Sequence, residues 1–207
     1  MTVKLYLVPG TVALASHAAL EEAGADYDLH WLRFSKNEHV APDYLAINPK
    51  ARVPALETPH GILTETPATL EWIATTWPEA GLMPSDPWQA ARAREAMSYL
   101  ASTVHVNHAH KMRGSRWTQD AAAQKAMAAE VPRTMGECAA YLESRLEDDW
   151  ICDAFSVADL HLWVISRWLD GDGVPLADYP KLHALSDRVA ARPAVARVAA
   201  EHARHER

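Results

Sequence analysis

The sequence predicts an α/β unit followed by an all-α unit, and three observations carry that reading. Strand-like alternation, glycines and turn residues gather in roughly the first eighty positions. A proline-marked break, Pro84-Ser-Asp-Pro87, comes next. From there to the end the chain is glycine-poor, alanine-rich and periodic in the manner of helices. We therefore expect one domain over residues 1–81 and a helical one over 87–207, with the boundary near 82.

The elements follow in order. Val3, Leu5 and Leu7 alternate with Lys4 and Tyr6 until Pro9-Gly10 closes the run, which predicts a strand over 3–8. Residues 12–23 hold Val12, Leu14, Ala15, Ala18, Ala19 and Leu20 before Gly24, the pattern of a helix with its stop. Tyr27, Leu29 and Trp31 alternate with Asp28 and His30 and give a second strand, completing a βαβ unit. Residues 33–50 are polar and interrupted by Pro42 and Pro49, so a long, partly helical loop is expected there. The stretch Arg52-Val-Pro-Ala-Leu-Glu-Thr, the turn Pro59-His60-Gly61 and Ile62-Leu-Thr read as a hairpin. Pro54 cannot donate to a ladder, so its place implies an edge, a bulge or a cis bond. Thr66-Pro67 is expected to open a helix with Thr66 as N-cap and Pro67 in the first helical position.

In the second half, Ala93, Met97, Leu100 and Val104 share one face of a helix starting at Pro87, and Met135, Cys138, Leu142 and Leu146 share a face of another. Ser156-Val-Ala-Asp159 is spaced as a capping box, with aspartate for the usual glutamate or glutamine. Tyr179-Pro180 and Arg192-Pro193 start two further helices.

Composition removes several classes of function. Of the 207 residues 49% are hydrophobic, enough for a buried core, so disorder is excluded as the default. Twenty Lys and Arg against 27 acids give a net charge of −7, with the basic residues scattered, and nucleic-acid binding needs them clustered. The two cysteines, Cys138 and Cys152, form neither a CxxC nor a disulfide framework, which suits a reducing compartment. Pro9 and Gly10 interrupt the N-terminal apolar run, and no run of about 18 apolar residues occurs. A cytoplasmic protein without membrane or nucleic-acid partners is expected.

Five stretches occur together: Asn48-Pro-Lys-Ala-Arg-Val-Pro-Ala-Leu56, Leu63-Thr-Glu-Thr66, Phe155-Ser-Val-Ala-Asp159, Tyr179-Pro-Lys-Leu182 and Ala191-Arg-Pro-Ala-Val195. In order and spacing, over nearly the whole chain, they resemble the cytosolic glutathione transferases, bacterial type. The resemblance implies a thioredoxin-like N-terminal domain with a mixed four-stranded sheet and an all-helical C-terminal domain with an electrophile pocket. It implies glutathione as co-substrate, small molecules as second substrates, no metal, and a homodimer. Val53 before Pro54 would pair its backbone with the cysteinyl unit in the manner of an added strand. Glu65 and Thr66 match the positions that hold the γ-glutamyl group, at a helix start that attracts the carboxylate. Lys36, seventeen residues before Val53, matches a lysine for the glycine carboxylate, with Arg52 its rival.

The family's chemistry depends on a group that favours thiolate over thiol. The family's tyrosine would fall at Leu7; Tyr6 is one residue away, hence on the other strand face. The cysteine of beta-like members would fall at Val12. Thr11 is the hydroxyl nearest that register and is the candidate activator, its alternative being a helix N-cap. The segment Val104-His-Val-Asn-His-Ala-His-Lys-Met-Arg113 sets His105 and His108 one turn apart, and His105 matches a histidine some bacterial members place beside the second substrate. No third ligand stands near enough to make this a metal site, and a polar helix face is the plainer alternative. Trp117, Trp163 and Trp168 are candidates either for an apolar pocket wall or for core. The leading reading is transfer of glutathione to a small electrophile. The alternatives are a glutathione-dependent peroxidase or reductase, and a non-catalytic glutathione- or ligand-binding protein of the same fold.

Overall fold

The computed structural model describes residues 2–205. Strand β1 (Thr2–Leu7), helix α1 (Ala13–Glu22) and strand β2 (Asp26–Trp31) form the expected βαβ unit, with β1 and β2 parallel from Thr2 opposite Asp26 to Leu7 opposite Trp31. The 33–50 segment winds into two 3₁₀ turns, Phe34–Lys36 and Glu38–Val40, and the short helix α2 (Pro42–Ile47). Strands β3 (Ala55–Thr58) and β4 (Gly61–Thr64) make an antiparallel hairpin, and β3 docks antiparallel on β1. The sheet is four-stranded and mixed, in the order β2-β1-β3-β4.

Alternation in β1 divides the core. Val3, Leu5 and Leu7 face α1, the helix after the hairpin (α3, Thr66–Thr76) and the helical half, whereas Tyr6 and Val8 belong to a smaller cluster with Leu32, Tyr44 and Ala55. That is the consequence of a period of two. The Tyr6 hydroxyl donates to Glu57 Oε2 at 2.9 Å, and burial together with that carboxylate pushes the phenol up to about 12.

Helix α3 (Thr66–Thr76) corrects the cap expected for Thr66: Glu65 occupies the cap position, Thr66 is already helical, and no side chain caps the end. The reason is the backbone of Glu65, whose φ of 72° turns the chain one residue before the threonine. At α1 the cap position falls to Val12, without a side-chain cap, because the Thr11 hydroxyl donates to the Val8 carbonyl at 2.7 Å.

The helical half comprises α4 (Pro87–Tyr99), a π-helical turn (Leu100–Val104), α5 (His105–Arg113), α6 (Ala121–Arg145), α7 (Val157–Ser166), α8 (Pro180–Ala190) and α9 (Pro193–His205). The faces read from periodicity are the buried ones: Ala93, Met97, Leu100 and Val104 on one, Met135, Cys138, Leu142 and Leu146 on the other. Helix α7 is buried along its whole length, so its start must satisfy polar groups internally. Asp159 does this, accepting from the backbone N–H of Ile151 (2.9 Å) and of Ser156 (2.8 Å) and from the Ser156 hydroxyl (3.0 Å). The Val157 N–H donates to the Leu82 carbonyl at 2.9 Å, tying α7 to the chain just beyond the sheet half. Arg192 adds a two-pronged pair with Glu22 of α1, at 2.7 and 2.8 Å. Among the described residues, no helix is long and apolar enough to cross a membrane.

Candidate functional site

A cavity of about 310 Å³ lies where the sheet half meets the helical half. Its first wall is largely backbone. The turn 48–52 is held by Tyr44, whose hydroxyl donates to the Arg52 carbonyl at 2.6 Å, and by Asn48, whose Nδ2 donates to the same oxygen at 2.7 Å. These two donors set the entry to Val53 and to the cis Val53–Pro54 peptide, beyond the last β1–β3 pair at Tyr6 and Ala55. Glu65 and Thr66 follow the hairpin at the opening of α3, and Gly10, Thr11 and Val12 bring the opening turn of α1 to the same space. The first N–H groups of a helix have no partner inside it, so both turns suit anionic groups.

Glu65 is engaged from the side by Lys50, whose ammonium lies 2.5 Å from Oε1 and 2.6 Å from the Thr64 hydroxyl. The Thr11 hydroxyl has a single proton, and the Val8 carbonyl receives it. A sulfur nucleophile at this turn would have to draw that proton away from Val8.

The second wall is side-chain chemistry from the helical half. His105 and His108 from α5 and Trp168 after α7 cluster there, with His108 stacked on the indole at 4.3 Å and His105 edge-on to it at 5.1 Å. Burial, reinforced by His108 and by Arg116, Arg52 and Arg113, lowers His105 to about 4, so its imidazole is neutral at pH 7. His108 is instead bound to buried Asp172, 2.6 Å from Nδ1, and Lys111 pairs with the same carboxylate at 3.5 Å.

Of the residues singled out from the sequence, Thr11, Arg52, Val53, Pro54, Glu65, Thr66 and His105 all line this one cavity. Lys36 does not; it closes the 3₁₀ turn Phe34–Lys36. Trp117 and Trp168 border the cavity, whereas Trp163 is 1% exposed and part of the core. Cys138 and Cys152 are buried away from it, and burial pushes Cys152 up to about 11. The sequence reading gave no role to three contributors, of which only Arg113 stood in a segment it singled out. Arg113 and Arg116 stand at the end of α5 and in the turn after it. His161, fully buried on α7, lines the cavity with neither ring nitrogen hydrogen-bonded among the described residues. Its one signal was a histidine inside the otherwise apolar run Leu160-His-Leu-Trp163.

Comparison with known proteins fits this geometry. Residues 1–75 match the description "Glutathione S-transferase, N-terminal domain", and residues 107–202 match "Glutathione S-transferase, C-terminal domain". The chain is similar to a glutathione transferase homolog from Sulfitobacter, solved with bound glutathione: 48% identity over 97% of this chain and 98% of that one, with a TM-score of 0.94. It is 29% identical to the glutathione S-transferase GstA of Escherichia coli O157:H7, over 93% of this chain and 94% of that protein. It is 29% identical to the maleylacetoacetate isomerase of Pseudomonas aeruginosa as well, over 85% of each. The agreement runs through both halves, and on it the chain belongs to the glutathione S-transferase family.

Proposed function

We propose that this protein binds glutathione in the cavity between its two halves and conjugates the glutathione thiolate to a small electrophile, the new sulfur–carbon bond forming as the electrophile's leaving group departs or its double bond takes up the electron pair. One observation carries the reading: a strand-like edge at Val53–Pro54, the opening turns of two helices, and the imidazole of His105 meet in a single cavity. The Sulfitobacter relative, at 48% identity, supports glutathione as the occupant of the sheet-side wall.

In this reading the cysteinyl backbone of glutathione pairs with Val53, as an extended peptide adds to an edge. The γ-glutamyl carboxylate sits at the opening of α3 by Thr66, and its amine goes to Glu65 in competition with Lys50. Arg52, which lines the cavity, takes the glycine carboxylate in preference to Lys36, which does not. The sulfur then lies at the opening turn of α1. Thr11 activates it by turning its hydroxyl hydrogen bond from the Val8 carbonyl to the thiolate, whose own proton leaves to solvent, and the N–H groups of the turn share the charge. His105 and Trp168 border the second substrate. A homodimer in the cytoplasm remains part of the proposal, and sedimentation of the purified chain tests the dimer.

The committed Thr11 hydroxyl also favours a second reading, a glutathione-binding protein without transferase chemistry. Calorimetric titration of glutathione at neutral pH, with the ultraviolet thiolate band recorded on the same sample, separates the two. The transferase reading expects binding with a thiolate band, and loss of most of that band in Thr11→Ala with the affinity kept. Binding without a thiolate band supports the second reading, and absence of binding overturns both.

A further inference from the structure

Charge is distributed unevenly in this protein. Although the whole chain carries −7, the cavity is bordered by three guanidinium groups, Arg52, Arg113 and Arg116. Among the described residues none of the three has a carboxylate within 4.0 Å, whereas the other charges at the cavity are matched: Glu65 by Lys50, and Lys111 by Asp172. Arg113 reaches across the cleft and lies over the Phe34 ring at 4.8 Å, which fixes its direction. Like charges brought together without a counter-charge repel one another, and the effect is felt locally. Burial, Arg52 and Arg113 hold Arg116 below the usual arginine range, and all three depress His105. Arg52 stands on the sheet-side wall; Arg113 and Arg116 come from the helical half.

We propose that Arg113 and Arg116 form an anion subsite for the second substrate, so that the preferred electrophile is a small molecule bearing a carboxylate. The planar fork of arginine matches a carboxylate in two-pronged geometry, and a carboxylate here would supply the charge that the chain itself omits. This rests on the glutathione reading above, since it assigns the half of the cavity that glutathione leaves open.

The test uses the full-length protein and two synthetic conjugates that differ only in charge, S-(4-carboxy-2-nitrophenyl)glutathione and its 4-carbamoyl counterpart, with glutathione itself as reference. Dissociation constants are measured by calorimetry for the parent and for the Arg113→Gln/Arg116→Gln double variant, whose fold is checked by its circular dichroism and thermal melt. The expected result is about a tenfold preference of the parent for the carboxylate conjugate, the scale of one charge-assisted hydrogen bond, shrinking as salt is raised. The double variant should bind both conjugates equally, with the affinity for glutathione unchanged within about twofold. Equal binding of the two conjugates by the parent overturns the subsite. So does a double variant that loses glutathione itself as strongly as the conjugate, because the arginines would then serve glutathione. Failure of glutathione and both conjugates to bind the parent overturns the glutathione reading as well, and the reference titration makes that case distinct.

Discussion

Two pairs of histidines lie between the halves of this molecule, and they are built in opposite ways. His17 of α1 and His202 of α9 are buried and hydrogen-bonded in series, with only His202 Nδ1 of the four ring nitrogens left over; His105 and His161 border the cavity, and among the described residues neither ring nitrogen of His161 has a partner. The first series can be read proton by proton. Tyr27 gives its one hydroxyl proton to Glu21 at 2.6 Å, so His17 Nε2 must be the N–H that donates to the Tyr27 oxygen at 3.2 Å. His17 Nδ1 is then an acceptor, and His202 Nε2 donates to it at 3.1 Å. Every hydrogen points the same way, ending on a carboxylate that also receives Arg197 Nε at 2.9 Å. Hydrogen bonds that close on the protein itself make structure, while polar atoms left facing a cavity are available to a ligand. The contrast separates the two roles for one residue type.

The largest test of this contrast is acid. Burial holds His17 at about 4 and His202 at about 3, against an ordinary value near 6.5. Protonating His17 Nδ1 would set its N–H against that of His202, so the geometry opposes charge as well. Because the folded values are depressed, the unfolded chain binds more protons below about pH 6.5, and the stability these histidines contribute is lost as pH falls from there toward 4. Because burial depresses His105 and His161 as well, the pair is isolated by difference: stability should drop between pH 7 and pH 5 by about 3 kcal/mol more in the parent than in a His17→Phe/His202→Phe variant, measured by urea unfolding at each pH. Equal drops in parent and variant would break the reading of the pair as a neutral, structural series.

Next in size is a pair of substitutions expected to differ. His202→Ala removes the donor to His17 and the ring that meets Trp31 edge-on at 4.9 Å, and should cost about 2 to 4 kcal/mol. His161→Leu removes polar atoms that have no partner among the described residues and restores similar volume, so stability should change by less than about 1 kcal/mol in either direction. Thermal and urea unfolding of both variants at pH 8 decide it, above the range where the histidines titrate. A loss from His161→Leu as large as that from His202→Ala would mean that His161 is structural too.

What the sequence disclosed divides along the same line. Periodicity, prolines and the Ser156-to-Asp159 spacing are local, so the strands, the buried faces of the helices and the α7 cap were legible. The wall built from contiguous stretches, Arg52 to Pro54 and Glu65 to Thr66, was legible for the same reason. The position of the α3 cap was not, because it turns on the positive φ of Glu65, a residue whose type carries no such signal. The helical wall was harder still. His161 needed the knowledge that α7 passes behind the cavity, and Asp172 lies 64 residues from the His108 it holds. The His17–His202 bond spans 185 residues, and no spacing rule links two such lone histidines.

The smallest expected effect tests the strand-face argument. Tyr6 is one residue from the place of the family's tyrosine, but its side chain points to the Tyr44 cluster and its hydroxyl donates to Glu57, which is itself half-exposed. Tyr6→Phe keeps the ring against Tyr44 and His30 and removes one solvent-screened hydrogen bond, so the cost should be about 0.5 to 1 kcal/mol in urea unfolding. The thiolate band of bound glutathione should be unchanged, since a residue whose neighbours Leu5 and Leu7 face the other side of the sheet cannot bring its hydroxyl round to the α1 turn without reversing the register of β1 against β2 and β3. Loss of that band in Tyr6→Phe would place the activating hydroxyl on the strand and remove Thr11 from the role.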